Sequence, residues 1–326
     1  MKLYSVTMAS AVKKRNFIER KIDWLDHFQQ KSLFSFPYAV LKKHGDDEAG
    51  YQAALIAYYG FLSIFPLLIV GTGIVQILSQ NDATLRETFL RNATSYFPAI
   101  GSTLSDSITT PSRSGLAVLF GLLVAFYGTK GVAHAVQHGL NHIWAVPRHR
   151  RAGFPKSTLK SFGIVFYAGI GFIIAAALIG YATAVDNELW ARVVLGTAGF
   201  IALFSVFWGV YTFGSSARRH PVMNVYGALF AAVGFLVLQA VGSYIIAHQL
   251  KSQTGLTAQF AVVLALLFWL YLQAQVFLLG AELASVRFHR LWPRSITPQP
   301  PLPADHRAYD LYRHRETFTD DKPVGH

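Results

Sequence analysis

Positively charged and titratable side chains recur at helical spacing in the segment FYGTKGVAHAVQHGLNHIW. Lys130, His134 and His138 stand four residues apart, and on an α-helix each step of four advances the direction by only about 40°. Asn141 falls in the same arc. Histidines gain charge as pH falls through the imidazole range, so such a strip suits an anionic ligand that binds more tightly at lower pH. We call Lys130, His134 and His138 the cationic strip.

Two other interpretations of the cationic strip remain open. If the hydrocarbon layer begins at Leu116, twenty residues at about 1.5 Å each leave Lys130 about 7–8 Å inside it, within reach of snorkelling. His138 and His142 would then lie at headgroup level without any ligand. A metal site is disfavoured, because pairs at i and i+4 supply two ligands and no carboxylate lies nearby in sequence.

The elements that must position these residues are six long apolar segments. The chain is 52% hydrophobic and only 14% charged, far below the roughly 25% charged of soluble domains. Each segment is near the roughly 20 residues that cross a bilayer as a helix. The sequence therefore predicts an all-α, polytopic integral membrane protein with six transmembrane helices, over residues 53–78, 116–135, 162–184, 193–213, 226–247 and 260–284.

Charge distribution predicts the orientation of these helices. Of the 29 lysines and arginines, 23 lie in the segments 1–49, 148–160, 218–219 and 287–322. Positively charged loops are retained on the cytoplasmic side, so both termini are predicted to be cytoplasmic and the protein to lie in the bacterial inner membrane. The net charge of +12 is explained by anionic membrane lipids as partners, without nucleic acid. The oligomeric state is not predicted.

Three regions follow from this topology. Residues 1–49 are predicted to be a cytoplasmic N-terminal segment with an amphipathic helix, and residues 50–290 the six-helix transmembrane domain. Residues 291–326 are rich in proline and polar side chains, which predicts a disordered cytoplasmic tail. Amphipathic helices are also expected in the first extracytoplasmic loop, over residues 79–112. The chain contains no cysteine, so disulfides, thiolate metal sites and cysteine nucleophiles are excluded.

Polar residues of other crossings could join the cationic strip in a cytoplasm-facing cavity. Gln275 and Glu282 share a face of the last crossing, Gln239 lies on the fifth, and Glu282 is the expected counter-ion of Lys130 or of a basic-loop arginine. The alternative is that these side chains only hold the helices together. The predicted substrate-binding residues are Lys130, His134, His138, Asn141, Gln239, Gln275 and Glu282.

The other faces of the second crossing are predicted to contact helices and lipid. Small residues favour close contact between helices, and they share one side of this helix: Gly121, Ala125, Gly128, Ala135 and Gly139. A further side, which includes Phe126, Ala133 and Leu140, is expected to face lipid.

Three motifs in order resemble the YihY/BrkB family of bacterial inner-membrane proteins, long known under the label ribonuclease BN. They are AALIAYYGFLSIFPLLIV, HGLNHIWAVPRHRRAGFPKSTLKSF and LLFWLYLQAQVFLLGAELASV, and the resemblance covers roughly residues 30–290. It implies a six-helix inner-membrane protein, as hydropathy does independently. It implies no activity that is assigned to particular residues.

The ribonuclease label finds little support among the residues. Metal-dependent nucleases hold metal ions with clustered carboxylates or histidines. Asp46, Asp47 and Glu48 form an acidic triplet, but a solvated helix N-terminus also accounts for it. No H-E-x-x-H pattern occurs. We therefore expect no enzymatic activity and no cofactor.

The sequence thus predicts a membrane protein that binds or transports an anionic amphiphile, such as a lipid or a glycolipid precursor. Transport would be passive or ion-coupled, because the phosphate-binding pattern G-x-x-x-x-G-K-[ST] is absent. A membrane scaffold that maintains the envelope without transport is the alternative, and a ribonuclease is the disfavoured one.

Overall fold

A computed structural model describes residues 34–78, 115–184, 189–217, 220–249, 256–296 and 301–318. Within these residues the chain is helical and contains no β-strand. The helices are α1 (Ser35–Asp46), α2 (Ala49–Leu78), α3 (Gly115–Ile143), α4 (Lys156–Ala184), α5 (Leu189–Gly214), α6 (Val225–Gln249), α7 (Leu256–His289) and α8 (Pro303–Arg315). Short 3-10 turns occupy Arg148–Arg150 and Pro221–Asn224.

Each of the six predicted apolar segments falls inside one of the helices α2 to α7. In the described residues four helical stretches are long and apolar enough to cross a membrane: Lys156–Thr183, Leu189–Gly214, Pro221–Gly242 and Val263–His289. The chain is therefore an all-helical protein with membrane-spanning character. The first two crossings, the count of six and the side on which the termini lie stay predictions.

At one end of the bundle, the end of α3 lies beside the start of α4 and the end of α7 lies beside the start of α6. Gln137 near the end of α3 donates a hydrogen bond to Ser161 Oγ near the start of α4, at 2.7 Å. At the same end, the guanidinium of Arg287 on α7 lies 4.0 Å from the ring centroid of Tyr226 on α6. We call this end, where α3, α5 and α7 finish and α4 and α6 begin, the basic end.

Aromatic and aliphatic side chains of α5 and α7 lie in an apolar core to which α2, α3, α4 and α6 also contribute. Leu203, Tyr211 and Leu278 are fully buried. The hydroxyl of Tyr211 donates a hydrogen bond to the carbonyl oxygen of Phe277 at 2.6 Å. Tyr211 thereby satisfies its polar atom inside an apolar core, as buried tyrosines require.

Helices α6 and α7 cross with their backbones in close contact. A methyl group placed on Gly227 would lie 2.2 Å from the carbonyl oxygen of Gly280. One placed on Gly280 would lie 2.7 Å from the carbonyl oxygen of Gly227. Glycine is needed at both positions because no side chain fits between the helices.

Gly227→Ala is expected to destabilise the protein by about 1–3 kcal/mol, because the new methyl group forces α6 away from α7. The midpoint of thermal unfolding in detergent would measure this. Gly163→Ala is the matched control, since a methyl group at that helical position on α4 has no neighbour within 4 Å. Because alanine favours helix over glycine, the control should keep or slightly raise the midpoint. Equal midpoints for both variants would contradict the close crossing.

The C-terminal region differs from the predicted disordered tail. Residues 303–315 form helix α8, and its Ala304, Asp305 and Ala308 are buried. α8 packs on α1 and on the end of α7 through an apolar cluster that includes Val286 and Leu291. The prediction failed for 301–318 because these contacts join segments that are distant in sequence, so composition alone carries no sign of them.

The N-terminal prediction is only partly covered. Helix α1 occupies the end of the predicted amphipathic segment, with Ala39, Val40 and Lys43 buried. The rest of that segment, up to residue 33, and the helices predicted over residues 79–112 lie outside the described residues.

Candidate functional site at the basic end

The cationic strip lies on the outer side of the bundle. His134 and His138 are exposed, and Lys130 is half-buried. The ring centroids of His138 and His142 are 6.3 Å apart, so the two imidazoles continue the same row. This differs from the expectation that the strip points into the bundle.

Packing of α3 between two neighbours explains the outward position of the strip. A methyl group placed on Gly128 would lie 3.0 Å from Cα of Ser63 on α2, which confirms that small residues mediate helix contact. On another side, Phe126 stacks on Phe162 of α4 at 4.8 Å. His134 and His138 lie on the side of α3 that these neighbours leave uncovered.

The predicted lipid-facing side of α3 is wrong for two residues. Ala133 and Leu140 are buried, whereas Phe126 is 57% exposed as predicted. The prediction treated α3 as a helix at the rim of the bundle, with one broad side facing lipid. Because α3 contacts α2, α4 and α7, more of its surface is covered.

Asn141 joins helices rather than facing a cavity. It is buried, and its Oδ1 accepts hydrogen bonds from the hydroxyl of Ser215 at 3.2 Å and from the backbone N–H of Ser216 at 2.6 Å. Because these bonds tie the end of α3 to the residues that follow α5, Asn141 has a structural role in this arrangement.

Glu282 is fully buried and pairs with Lys43 of α1, not with Lys130 or a basic-loop arginine. The Lys43 Nζ lies 2.7 Å from Glu282 Oε2 and 3.0 Å from the carbonyl oxygen of Ile143, and it also pairs with Asp47. Burial by itself lowers the pKa of Lys43, but the two carboxylates raise it overall well above its ordinary value. Lys43 therefore holds α1, α3 and α7 together as a charged residue.

The two predicted glutamines have different surroundings. Gln275 is half-buried and donates a hydrogen bond to the hydroxyl of Tyr271, one turn earlier on α7. Gln239 is half-buried on α6. With Asn141 bound to the α5 end and Glu282 bound to Lys43, the described contacts do not bring the seven predicted residues into one cavity.

A second charged cluster fastens the C-terminal segment. Arg294 is fully buried, and its guanidinium lies 2.9 Å from Asp305 Oδ1 and 2.9 Å from Asp46 Oδ2. Asp305 also accepts hydrogen bonds from the backbone and hydroxyl of Ser295, at 3.0 and 2.8 Å. Although burial raises the pKa of Asp305, these hydrogen bonds hold it well below its ordinary value.

The acidic triplet is engaged by cations of the C-terminal segment. Asp46 pairs with Arg294, and Asp47 Oδ1 lies 2.8 Å from Arg315. Asp47 is buried, so the expectation of a solvated helix N-terminus is wrong for it. The part of the chain that the structure describes contains no group of three His, Asp or Glu side chains arranged to hold a metal.

Roles for Lys43, Arg294 and Asp305 were not predicted from the sequence. The sequence nevertheless contains a signal for Lys43 and another for Asp305. Lys43 and Asp47 are four residues apart, the spacing of a helical ion pair. Asp305 follows Pro303 by two residues, a pattern typical of a helix start, and it accepts a hydrogen bond from the backbone N–H of Leu302 at 3.1 Å.

Comparison with known proteins agrees with the helical membrane architecture. The family model described as "Virulence factor BrkB" matches residues 40–301. A Bacillus subtilis (strain 168) protein whose name calls it ribonuclease-like, YfkH, is 22% identical over 271 residues, covering 78% of this chain and 96% of that protein. The UPF0761 membrane protein VV0203 of Vibrio vulnificus (strain YJ016) is 26% identical over 264 residues, covering 77% of this chain and 82% of the relative.

The matches extend to relatives of different length. The UPF0761 membrane protein PsycPRwf_0630 of Psychrobacter sp. (strain PRwf-1) is 26% identical over 284 residues, covering 81% of this chain and 50% of the relative. No solved structure matches the chain. Because the family model spans more than half of the chain, including α2 to α7 and the cationic strip, the chain belongs to the BrkB (YihY) family of membrane proteins.

Proposed function

We propose that this chain is an inner-membrane protein that binds an anionic amphiphile, a lipid or a glycolipid precursor, at the basic end of its helix bundle. The observation that carries the proposal is the exposure of His134 and His138 on α3, one and two turns after Lys130. Cationic side chains on the outside of a membrane-embedded helix are costly unless an anionic headgroup or water meets them.

The surroundings of the strip suit an amphiphile. Arg148 and Arg151 follow the end of α3 and add positive charge near the strip; burial and these two charges lower the pKa of His138. Towards the other end of α3, Leu123 and Tyr127 are 62% and 68% exposed, which leaves an apolar surface beside the charges. An amphiphile could therefore place its headgroup at the cationic strip and its acyl chain along the apolar surface at Leu123.

The proposal concerns binding rather than transport or catalysis. Asn141, Gln275 and Glu282 each have a different partner, so the described contacts do not join these predicted cavity residues to one another. The ribonuclease-like name belongs to the Bacillus relative. In this chain Asp46 and Asp47 are held by Arg294, Arg315 and Lys43, which leaves them poorly placed to activate a nucleophile.

Replacing Lys130, His134 and His138 together by alanine is expected to weaken binding of phosphatidylglycerol by about fivefold at neutral pH, mainly through the loss of the Lys130 charge. Native mass spectrometry of the purified protein, titrated with phosphatidylglycerol or phosphatidylcholine, would measure it. His220→Ala is the matched control, because His220 is exposed on the α5–α6 connection and is not part of the strip. Unchanged affinity in the triple variant, with its unfolding midpoint preserved, would refute the proposal.

A membrane scaffold is the second candidate, and the folded α8 favours it. His306, Arg313 and His314 are exposed on this helix, so the basic end presents an ordered charged surface to partners. This alternative predicts that neutralising Arg148 and Arg150 impairs envelope integrity in cells more than the triple alanine variant of the strip does.

A further inference from the structure

A second cationic site lies at the end of α7, apart from the cationic strip. A cavity of about 490 Å³ is lined by Arg287, Arg290, Trp292 and Arg307. We call it the arginine pocket. The cavity size is within the roughly 300–1,000 Å³ of small-ligand sites. Three arginines, one from α7, one from the turn after it and one from α8, thus share one concave surface.

The guanidinium groups of the arginine pocket are oriented by other parts of the protein. Arg287 stacks over Tyr226, 4.0 Å from its ring centroid. Arg307 donates a hydrogen bond to the carbonyl oxygen of Arg290. Arg290 has a φ of 53°, in the left-handed region, where the chain leaves α7. These contacts with a ring and a backbone carbonyl orient the guanidinium groups but do not neutralise their positive charge.

Among the described residues, the positive charge of the arginine pocket is not balanced by a carboxylate. In the residues described here, no Asp or Glu lies within ion-pair distance of Arg287, Arg290 or Arg307. The neighbouring Arg294 and Arg313, by contrast, both have aspartate partners. Like charges repel when they share a cavity, so an anion is the complement that this pocket lacks.

The position of the pocket fits a headgroup at the membrane surface. The candidate span Val263–His289 ends beside it, so Arg287 and Arg290 lie where the apolar helix meets water. Trp292 and the half-exposed Tyr226 flank the arginines, and these residue types are enriched at membrane interfaces. Guanidinium groups bind phosphate through paired N–H donors.

The geometry points to the arginine pocket as a phosphate-binding site that holds the phosphate of an anionic lipid headgroup. The inference rests on the proposed function in one respect: in both, the ligand is an anionic lipid of the membrane. It names a different surface, formed by α7 and α8, and a specific group, a phosphate with free oxygens. Phosphatidylcholine, whose phosphate is screened by a choline cation, is expected to bind poorly.

The test titrates the detergent-solubilised full chain with dihexanoyl phosphatidic acid, dihexanoyl phosphatidylcholine, glycerol 3-phosphate and inorganic phosphate. The triple change Arg287→Gln, Arg290→Gln and Arg307→Gln is expected to weaken phosphatidic acid binding by at least about tenfold. Arg313→Gln, an equal change of charge per residue on α8, is the matched control and should bind as the unaltered protein does. Tighter binding of phosphatidic acid than of glycerol 3-phosphate assigns a lipid source, whereas equal binding assigns a soluble phosphate to the same site.

A second measurement uses the unaltered protein, so it does not depend on the variants folding. Phenylglyoxal modifies accessible arginines, and peptide mass spectrometry locates the adducts. Phosphatidic acid or phosphate should protect Arg287, Arg290 and Arg307 but not Arg313. No protection, together with equal affinity of the glutamine variant for every ligand, would overturn the inference.

The outcomes separate this inference from the proposed function. If the alanine variant of the cationic strip loses anionic lipid while the glutamine variant of the arginine pocket keeps it, the pocket assignment fails and the proposed function stands. If only the glutamine variant loses phosphate-bearing ligands, the pocket is confirmed and the role of the strip is refuted.

Discussion

Lys43→Met is expected to destabilise the protein by about 3–5 kcal/mol, the typical cost of removing one partner from a buried ion pair. The change leaves Asp47 and Glu282 facing each other without their shared cation, and both carboxylates are buried. Arg315 still reaches Asp47, but Glu282 then has no cation within ion-pair distance in the described structure. The measurement is the unfolding midpoint in detergent, with an expected fall of roughly 5–10 °C.

Lys156→Met is the matched control for this variant, because Lys156 is an exposed lysine in the first turn of α4. It should leave the midpoint nearly unchanged. The double variant Lys43→Met/Glu282→Leu should recover part of the loss, since it removes the unpaired charge as well. If Lys43→Met unfolds at the same temperature as the control, the buried pair does not hold the basic end together.

Asp305→Asn is expected to release α8 from the bundle. The variant loses the negative charge that pairs with Arg294 and Lys42 and accepts a hydrogen bond from Ser295. Each hydrogen bond to a charged group contributes about 1.5–3 kcal/mol. The equilibrium for opening should therefore rise by about ten- to a hundredfold. The chain has no cysteine, so a single Ala308→Cys at a fully buried position allows maleimide labelling to report the opening.

Asp310→Asn is the control for α8, because Asp310 is exposed and pairs only with the exposed Arg313 among the described residues. Labelling of Cys at position 308 should stay slow in this variant. Fast labelling in the control, or slow labelling after Asp305→Asn, would show that the buried cluster does not hold α8.

Lowering the pH should weaken the charged cluster around Asp305 and so reduce the stability of the protein. The folded-state pKa of Asp305 is depressed, so its contribution to stability is complete above the unfolded pKa of about 3.9 and is lost as pH falls below that value. The unfolding midpoint of the unaltered protein should therefore drop as pH falls from about 4 to about 2. Asp305→Asn cannot titrate at this position, so its midpoint should drop less over the same range.

The two charged clusters make α1, α8 and the ends of α3 and α7 one unit. Lys43 links α1 to α3 and α7, and Arg294 links the segment after α7 to α1 and α8. Substitutions of these residues should therefore affect stability more than ligand binding. The cationic strip and the arginine pocket lie outside the clusters, so their variants test ligand binding without the same loss of folding.

Sequence alone determined the helical segments of this protein. Each predicted crossing is a run of apolar residues close to the length that spans a bilayer, and that property belongs to the segment itself. The contact of Gly128 with α2 was also readable, because small residues mark where helices approach. A start signal for α8 was present in Pro303 and Asp305 but was outweighed by the surrounding prolines.

Only the tertiary structure decided which side of α3 is covered and which charges meet. Glu282 was expected to pair with Lys130 or a basic-loop arginine, yet it lies against Lys43, 239 residues away in sequence. A helical pattern specifies the angular positions of side chains around one helix, but the neighbours that fill those directions depend on how all helices pack. For that reason the cationic strip was predicted correctly as a row of residues and incorrectly as the lining of a cavity.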